Sequence, residues 1–308
     1  MTRVAVIDQG TNTTRLLVAE VSDGKVEEIE KRTTITGLGR GLDASGRLGD
    51  EPMAAVRATL AEYREAIDRH GATKVFGVAT SAMRDAENGP AFRDELSRDF
   101  GVELRTISGD EEARLTFLGA TAGRDGGEAG DLVVIDIGGG STEYVIGAPD
   151  GDMRFHVSTQ MGSVRHTERF LHSDPPRHEE LEALATDIAD VIDAHVPADL
   201  RKGTARAIAV AGTATTLAAI DQDLDPYDSS RVHGYEMGLA AAERIQAMLA
   251  TKPLEERRGV TGLHPDRAPT IVAGVTILVE SIRAFGLDGV EVSERDILHG
   301  AALAGAAN

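Results

Sequence analysis

Two segments of the chain carry the same arrangement of a carboxylate, a glycine turn and hydroxyl groups. They read VAVIDQGTNTTRLLV over residues 4–18 and LVVIDIGGGSTEYVI over residues 132–146. In each, an aspartate (Asp8 or Asp136) ends an apolar run, a glycine follows two residues later, and hydroxylated side chains precede a second apolar run. Glycine allows positive φ and close backbone approach, and successive N–H groups in such a turn bind anions. The repeat predicts two phosphate-binding hairpins.

The candidate phosphate-binding residues come from these two turns and from a third glycine turn after the strand RAIAVAG. They are Asp8, Gly10, Thr11, Asn12, Thr13, Gly138, Gly139, Gly140, Ser141, Gly212 and Thr213. Each aspartate at a strand end can hold a cation or orient a water molecule. A single strand followed by a glycine turn is ordinary architecture. Two copies that match in register favour a duplicated phosphate site.

A cluster of acids opens the predicted helix in SGDEEARLTFLG. Acidic side chains in a first turn complement the helix dipole, and this structural role is one explanation for Asp110, Glu111 and Glu112. We expect Leu115 and Leu118, three and six positions after Glu112, to face the core, so that Glu111 and Glu112 point in different directions. One of the two can therefore face a cleft.

The second hairpin carries a further carboxylate, Glu143, on its returning strand. Asp136 precedes the turn and Glu143 follows it, so the two can flank one site. The first hairpin has Arg15 at the equivalent position. This asymmetry suggests that one hairpin binds phosphate and the other holds a divalent cation, since Mg²⁺ prefers a few carboxylates, waters and phosphate oxygens. The alternative for Glu143 is an outward-facing strand glutamate.

Three other polar residues stand out. Arg84 and Asn88, in ATSAMRDAEN, lie one helical turn apart on one face. The alternative is an ordinary strand-to-helix turn capped by Ser81. His233, in VHGYEM, is a site candidate or a structural histidine, and the other eight histidines have the pattern of surface residues.

Strand-like and helical patterns alternate along the chain, which indicates an α/β fold. Helices are expected over residues 50–70 and about 237–250 and 265–285, with a last one from about residue 294. The glycine-rich stretch 123–131 is the best boundary. We expect a first domain over 1–122, a second over 123–293, and a C-terminal helix at about 294–308.

Composition limits the partners and the compartment. The net charge of −19 argues against a nucleic-acid binder and would repel anionic substrates at long range. Phosphate binding must therefore depend on local geometry. The chain has no cysteine, which excludes disulfides and thiolate chemistry and fits a reducing cytoplasm. No signal peptide or membrane-spanning stretch is recognisable, so we expect a cytoplasmic protein without membrane contact.

The chain resembles the exopolyphosphatase/guanosine pentaphosphate phosphohydrolase family of the actin/Hsp70/sugar-kinase superfold. The resemblance rests on the two hairpins with GTATTLAAI, on GVATSAMRDAEN, SGDEEARLTFLG and VHGYEM, and on HPDRAPTIVAGVTIL. It implies two duplicated RNase-H-like domains facing across a cleft, with the C-terminal helix at about 294–308 packing back on the first. It also implies that Glu112 is the base that activates water, with Glu111 as the alternative. Asp136 and Glu143 are implied to be catalytic or metal-associated, with Mg²⁺ or Mn²⁺, and the segment of Arg84 and Asn88 is implied to contribute to the cleft.

The implied reaction is hydrolysis of terminal phosphoanhydride bonds of inorganic polyphosphate. The alternatives are a guanosine pentaphosphate phosphohydrolase, an ATP-dependent kinase of the same superfold and a non-catalytic phosphate or nucleotide sensor. A homodimer is expected. This chain lacks the helical HD-type domain of larger members, and it reads Leu298-His299-Gly300 where many members have Arg-Glu-Gly. Because the chain is acidic and lacks that domain, we expect short polyphosphate chains to be bound as well as long ones.

Overall fold

A computed structural model describes residues 2–124 and 130–307 of the chain. Most of the glycine-rich stretch expected as a domain boundary, residues 125–129, lies outside the described residues. None of the helices in the described ranges combines the length and the apolar content needed to span a membrane.

The chain up to residue 124 alternates strands and helices, as the sequence pattern predicts. The elements are β1 (Thr2–Gln9), β2 (Thr13–Ser22), β3 (Lys25–Ile35), α1 (Leu42–Ser45), α2 (Asp50–His70), β4 (Lys74–Ala79), α3 (Ser81–Asp85), α4 (Gly89–Phe100), β5 (Glu103–Thr106) and α5 (Gly109–Thr121). The helix predicted over residues 50–70 is confirmed as α2, which ends at the left-handed residue Gly71.

The pattern resumes after residue 130. The elements are β6 (Asp131–Ile137), β7 (Thr142–Gly147), β8 (Met153–Thr159), α6 (Ser163–Phe170), α7 (His178–His195), α8 (Ala198–Gly203), β9 (Thr204–Val210), α9 (Ala211–Asp221), α10 (Ser229–Val232), β10 (Tyr235–Gly238), α11 (Leu239–Ala250), α12 (Leu254–Arg257), α13 (Ile271–Phe285), β11 (Gly289–Val292) and α14 (Ile297–Ala307).

The helix expected over residues 265–285 is shorter than predicted. A 3₁₀ turn occupies Pro265–Arg267, and α13 begins only at Ile271. Pro269 separates the two, because proline lacks the N–H that a helix interior requires. The last helix, α14, likewise begins at Ile297 rather than near residue 294.

Contacts divide the chain into two compact units. Unit 1 is Met1–Arg124 with Asp296–Asn308, and unit 2 is Asp125–Arg295. The sheet of unit 1 has the order β3-β2-β1-β4-β5, and that of unit 2 has the order β10-β11-β9-β6-β7-β8. In both, two hairpin-linked strands extend the sheet on one side of a central strand, and that strand pairs in parallel on its other side. The expected α/β architecture with two duplicated domains is confirmed.

The central strand of unit 1 is apolar throughout because both faces of the sheet are covered. Ala5 and Ile7 pack with the helix α2, in a cluster that includes Leu60. Val4 and Val6 point to the opposite face, where they pack with residues of α14. The alternation of side chains along a strand assigns the two sets to opposite faces. The C-terminal helix is therefore part of the core of unit 1.

Unit 2 encloses the second core. Val133 and Ile135 of β6 lie in one cluster with buried residues of α7, α9 and α13. The Tyr144 side chain is fully buried in this cluster, and its hydroxyl bonds Ser281 Oγ at 2.7 Å. A buried phenol requires such a partner. This core supports β6 and β7, the strands of the second glycine hairpin.

Helices α5 and α14 of unit 1 cross in close backbone contact. A Cβ atom at Gly300 would lie 1.8 Å from Leu115 O, and one at Gly119 would lie 2.0 Å from Asp296 O. Only glycine permits this approach at the two positions. The crossing sets the position of the first turn of α14.

We predict that Gly300→Ala destabilises the protein because the added methyl group meets the α5 backbone. The expected loss is about 1–3 kcal/mol or more in free energy of unfolding, measured by urea unfolding followed by circular dichroism. The control is Gly49→Ala, whose Cβ atom would meet Pro52 Cδ at an ordinary 3.4 Å. That change should cost less than about 1 kcal/mol. Equal stability of the two variants would contradict the close crossing.

Candidate active site

The two hairpin turns share one backbone arrangement. Gly10 N–H donates to Thr13 O at 2.9 Å, and Gly138 N–H donates to Ser141 O at 3.0 Å. A Cβ atom at either glycine would lie 3.1 Å from that carbonyl oxygen. The expectation of positive φ at these turns is wrong, because the glycines with positive φ in the described chain lie elsewhere. Glycine is needed here for close approach alone.

Neighbouring backbone binds the carbonyl groups of both turns. In unit 1, Gly39 N–H donates to Thr11 O at 2.8 Å. In unit 2, Val164 N–H donates to Gly139 O at 2.9 Å, at the start of α6. A Cβ atom at Gly162 would lie 2.4 Å from Gly139 O, so this support also depends on glycine. The carbonyl side of each turn is thus used by the fold.

The amide side of each turn is left for another partner. Within the described residues, the N–H groups of Thr11, Asn12, Gly139 and Gly140 donate to no protein acceptor. Gly139 and Gly140 are buried. Buried N–H groups require an acceptor, which a water molecule or an anion can supply. This arrangement supports phosphate binding at both turns.

The strand ends beside the turns differ in charge. Asp8 lies directly opposite Arg15 across β1 and β2, and Arg15 Nη2 lies 2.6 Å from Asp8 Oδ2. Asp136 lies opposite Glu143 across β6 and β7, in the same register. Residues directly opposite in an antiparallel pair place their side chains on one face. Unit 1 therefore pairs its buried aspartate with a guanidinium, whereas unit 2 places two carboxylates together.

Glu112 lies beside Arg84 in unit 1. Its side chain, at the start of α5, is buried, and Arg84 Nη1 donates to Glu112 Oε2 at 3.3 Å and to Ile107 O at 3.0 Å. The neighbouring Glu111 is more exposed and accepts from Arg105 at 2.8 Å. The structure thus brings Glu112 and Arg84 together and directs Glu111 elsewhere.

Comparison with known proteins agrees with this geometry. The model of the Ppx/GppA phosphatase family matches residues 17–305. The chain is 36% identical over 319 residues to exopolyphosphatase 2 of Mycobacterium tuberculosis, covering 98% of each chain. The chain belongs to the Ppx/GppA phosphatase family. It is therefore a phosphoanhydride hydrolase, and the resemblance inferred from the motifs is confirmed.

Solved structures lead to the same family. A crystal structure of the Ppx/GppA family member of Aquifex aeolicus superimposes with a TM-score of 0.82 at 31% identity, covering 99% of this chain and 98% of that one. An exopolyphosphatase-like protein superimposes with a TM-score of 0.91 at 32% identity, covering 98% of each chain. Both likenesses extend over the two units of the Ppx/GppA fold.

Several predicted site residues of this Ppx/GppA chain also hold the fold together. Thr11 Oγ1 accepts from Ala82 N–H at 3.2 Å, at the start of α3. Asn88 bonds Leu48 through both ends of its amide, accepting from Leu48 N–H at 2.8 Å and donating to Leu48 O at 3.1 Å. These bonds give Asn88 a structural role. The shared helical face expected for Arg84 and Asn88 is wrong, because α3 ends at Asp85, and the expected cap by Ser81 is wrong, because α3 has no side-chain capping bond at its start.

The expected third glycine turn is wrong, because Gly212 and Thr213 lie in the first turn of α9, against an arginine that sequence reasoning missed. A Cβ atom at Gly212 would lie 1.7 Å from Arg267 Nη1, so the guanidinium rests directly over this glycine. Thr213 is buried, and a Cβ atom at Gly274 would lie 2.6 Å from its hydroxyl. The motif HPDRAPTIVAGVTIL contains Arg267, which is the signal that could have identified it.

Asp136 and Glu143 fit a divalent cation in part. Both side chains are buried, and Ser158 Oγ donates to Glu143 Oε1 at 2.6 Å. In the ranges that the structure describes, no group of three or more acidic, histidine or cysteine side chains converges as a metal site. Two carboxylates suit Mg²⁺, which usually keeps several waters and binds substrate phosphate. Ser158 carries no sequence signal for this contact.

The expectation that the other histidines lie on the surface is wrong for two of them. His166 and His299 are 1% and 2% exposed. The His166 ring lies 3.1 Å from Asp187 Oδ2, and burial lowers its pKa despite this carboxylate. The His299 ring lies 2.8 Å from Glu28 Oε1. His233 is exposed and accepts a bond from Glu294 N–H at 3.3 Å.

Proposed function

We propose that this Ppx/GppA protein is an exopolyphosphatase that releases orthophosphate from the ends of inorganic polyphosphate. The full-length similarity to a mycobacterial exopolyphosphatase, 36% identical over 98% of each chain, supports this substrate. The amide groups of two glycine turns, which have no protein acceptor among the described residues, carry the proposal structurally, since they offer donors to phosphate oxygens without a basic surface.

Each group has a proposed role in hydrolysis. Glu112 accepts the proton of the attacking water, and Arg84 fixes the orientation of its carboxylate through the 3.3 Å bond. The turn amides bind and orient the phosphoryl oxygens and stabilise the charge that develops on them. The phosphate-binding set proposed from the sequence includes Gly10, Thr13, Gly138 and Ser141 of the same turns.

Asp136 and Glu143 are the proposed ligands of Mg²⁺ or Mn²⁺. When bound, the cation supplies positive charge to the phosphoryl oxygens. Ser158 fixes one oxygen of Glu143 and so limits the orientations of the carboxylate. Such supporting bonds commonly matter for metal affinity.

The substrate is tested by phosphate release from short polyphosphate, long polyphosphate, guanosine pentaphosphate and ATP at matched concentrations with Mg²⁺. We expect kcat/KM for polyphosphate at least about tenfold above that for guanosine pentaphosphate, a difference of about 1.4 kcal/mol in transition-state binding. The reverse order would establish the phosphohydrolase alternative. Phosphate release from none of them would favour the sensor, and ATP-dependent phosphorylation of an added sugar would favour the kinase.

Product sizes in the long-polyphosphate reaction test the proposed preference for short chains. The net charge of −19 repels a long polyanion outside its local binding groups. We therefore expect the whole population of chains to shorten together, as in distributive hydrolysis. Untouched long chains beside orthophosphate would show processive hydrolysis and contradict this preference.

We predict that Glu112→Gln lowers kcat by about 10²–10⁴-fold, the usual contribution of a general base. The matched control is Glu111→Gln, which makes the same chemical change one residue earlier, on a side chain that is more exposed. Its kcat should stay within about twofold of the wild type. Thermal unfolding checks that both variants are folded. A Glu112→Gln enzyme with more than half of the wild-type kcat would exclude Glu112 as the base.

We predict that Glu143→Gln raises the Mg²⁺ concentration for half-maximal activity by about tenfold or more, because one of two proposed ligands is lost. The control is Asp131→Asn, which removes the same charge from a residue of β6 that pairs with the exposed Arg154. Its Mg²⁺ requirement should match the wild type. Identical Mg²⁺ requirements in all three proteins would rule out this pair as the metal site.

A further inference from the structure

A chain of buried charges connects the first hairpin to the C-terminal helix of unit 1. Arg15 lies between two carboxylates: Nε donates to Asp8 Oδ2 at 2.8 Å, and Nη1 donates to Asp296 Oδ2. The side chains of Asp8 and Asp296 are 4% and 5% exposed. Few charged side chains are buried so completely without a specific role. The same guanidinium thus holds the strand end of β1 and the start of α14.

Asp296 is itself held in place from two sides. Its Oδ1 atom accepts from Leu298 N–H at 3.0 Å, which caps the first turn of α14. His299 follows one turn later. Its Nδ1 atom accepts from Asp296 N–H at 3.4 Å and lies 4.0 Å from Asp296 Oδ1, and its Nε2 atom lies 2.8 Å from Glu28 Oε1. His299 therefore connects the start of α14 to β3.

Asp8 has one oxygen that these contacts do not use. Asp8 Oδ1 is buried and has no hydrogen-bond partner in the described part of the chain, whereas Oδ2 receives the guanidinium. Asp8 adjoins the Gly10 turn, two residues before it. Buried polar atoms usually have a hydrogen-bond partner, so the open oxygen of this carboxylate calls for an explanation. It lies beside a turn that we propose binds phosphate, where a reaction would require the orientation of the carboxylate to be fixed.

We propose that Asp296 and His299 are positioning residues for the reaction, because they hold Arg15 and Arg15 holds Asp8 with Oδ1 open beside the first glycine turn. The role in catalysis rests on the proposed function, whereas the coupling between the groups does not. Unit 2 has Glu143 at the position of Arg15, so this device belongs to unit 1 alone.

The protonation of His299 is part of this device. Burial disfavours the charged ring, but the carboxylates of Asp296 and Glu28 outweigh it and raise the pKa of His299 above its ordinary value of 6.5. Burial likewise opposes ionisation of Asp296, yet Arg15 and His299 hold its pKa well below the usual range. Burial raises the pKa of Asp8, despite Arg15.

The charged groups that act on His299 are Asp296 and, from β3, Glu28 and Lys31. Arg15 of β2 and Asp8 of β1 are linked to His299 through the contact of Arg15 with Asp296. Helix α5 meets α14 through the backbones of Leu115 and Gly119. A group whose pKa is higher in the folded than in the unfolded protein stabilises the fold fully at pH values below its pKa in the unfolded protein. This stabilisation is lost as the pH rises through its pKa in the folded protein. The support of Asp296 therefore weakens above about pH 6.5.

The kinetic experiment compares wild type, Asp296→Asn, His299→Gln and His70→Gln from pH 6 to 9, with polyphosphate as substrate. His70 is the matched control because its ring also bonds a glutamate of β3, Glu30. We expect Asp296→Asn to lower kcat about tenfold or more, as loss of a supporting bond does elsewhere. Wild type and His70→Gln should lose kcat as the pH rises through the raised pKa of His299, and His299→Gln should lose this dependence.

A structural role alone would lower the melting temperature without changing the pH profile. An unchanged profile in His299→Gln, together with Asp296→Asn within twofold of wild-type kcat, would overturn the proposal. The coupling is tested without substrate by NMR titration of His299 in wild type and Asp296→Asn. Removing that carboxylate should lower the His299 pKa, because Asp296 is one of the groups that raise it. The same His299 pKa in both proteins would refute the coupling, whatever the substrate is. A lower His299 pKa in the variant, together with a wild-type protein that does not hydrolyse polyphosphate, would refute only the proposed substrate.

Discussion

A buried carboxylate beside a glycine turn needs positive charge, and this requirement shapes both hairpins of the protein. Removing an ionised group from water costs several kcal/mol unless a counter-charge and hydrogen bonds replace the water. In unit 1 the protein provides the counter-charge itself, because Arg15 contacts Asp8 directly. In unit 2 the opposite strand carries Glu143, a second carboxylate. The duplicated hairpin thus has an internal cation in one copy and, in the other, two carboxylates that we propose as ligands for an external one.

The internal cation explains why the C-terminal helix belongs to the first unit. Arg15 carries one charge and contacts two carboxylates, and the second, Asp296, comes from the residue before α14. The helix can bring Asp296 to Arg15 only because Gly119 and Gly300 let α5 and α14 touch backbone to backbone. Packing and electrostatics are therefore coupled here. A larger residue at position 119 or 300 would displace the carboxylate of Asp296 together with α14.

The glycine turns divide their backbone groups between the fold and a ligand. Neighbouring N–H groups bind the carbonyl oxygens of Thr11 and Gly139, which leaves the amides of the same turns facing away from that support. An unsatisfied buried polar group costs about 1–3 kcal/mol. A turn built in this way would gain stability on binding an anion. We propose that this local geometry is how an acidic protein of the Ppx/GppA phosphatase family binds phosphate groups.

The sequence alone was enough to predict whatever depends on local pattern. The two hairpins, the α/β alternation, the helix α2 and the acidic start of α5 follow from apolar periodicity, glycine placement and capping, which are properties of neighbouring residues. The same periodicity indicated that Glu111 and Glu112 point in different directions, although only the structure showed which of them is buried. The family resemblance came from these local motifs and was confirmed over residues 17–305.

Only the tertiary structure decided which distant groups meet. Asp296 reaches Arg15 across 281 positions of sequence, and Ser158 reaches Glu143 across 15. Two histidines that look like surface residues in the sequence are buried, because the carboxylates that compensate them come from other elements: Asp187 for His166 and Glu28 for His299. Charge compensation and close packing depend on distances in space, and a pattern of neighbouring residues does not contain those distances.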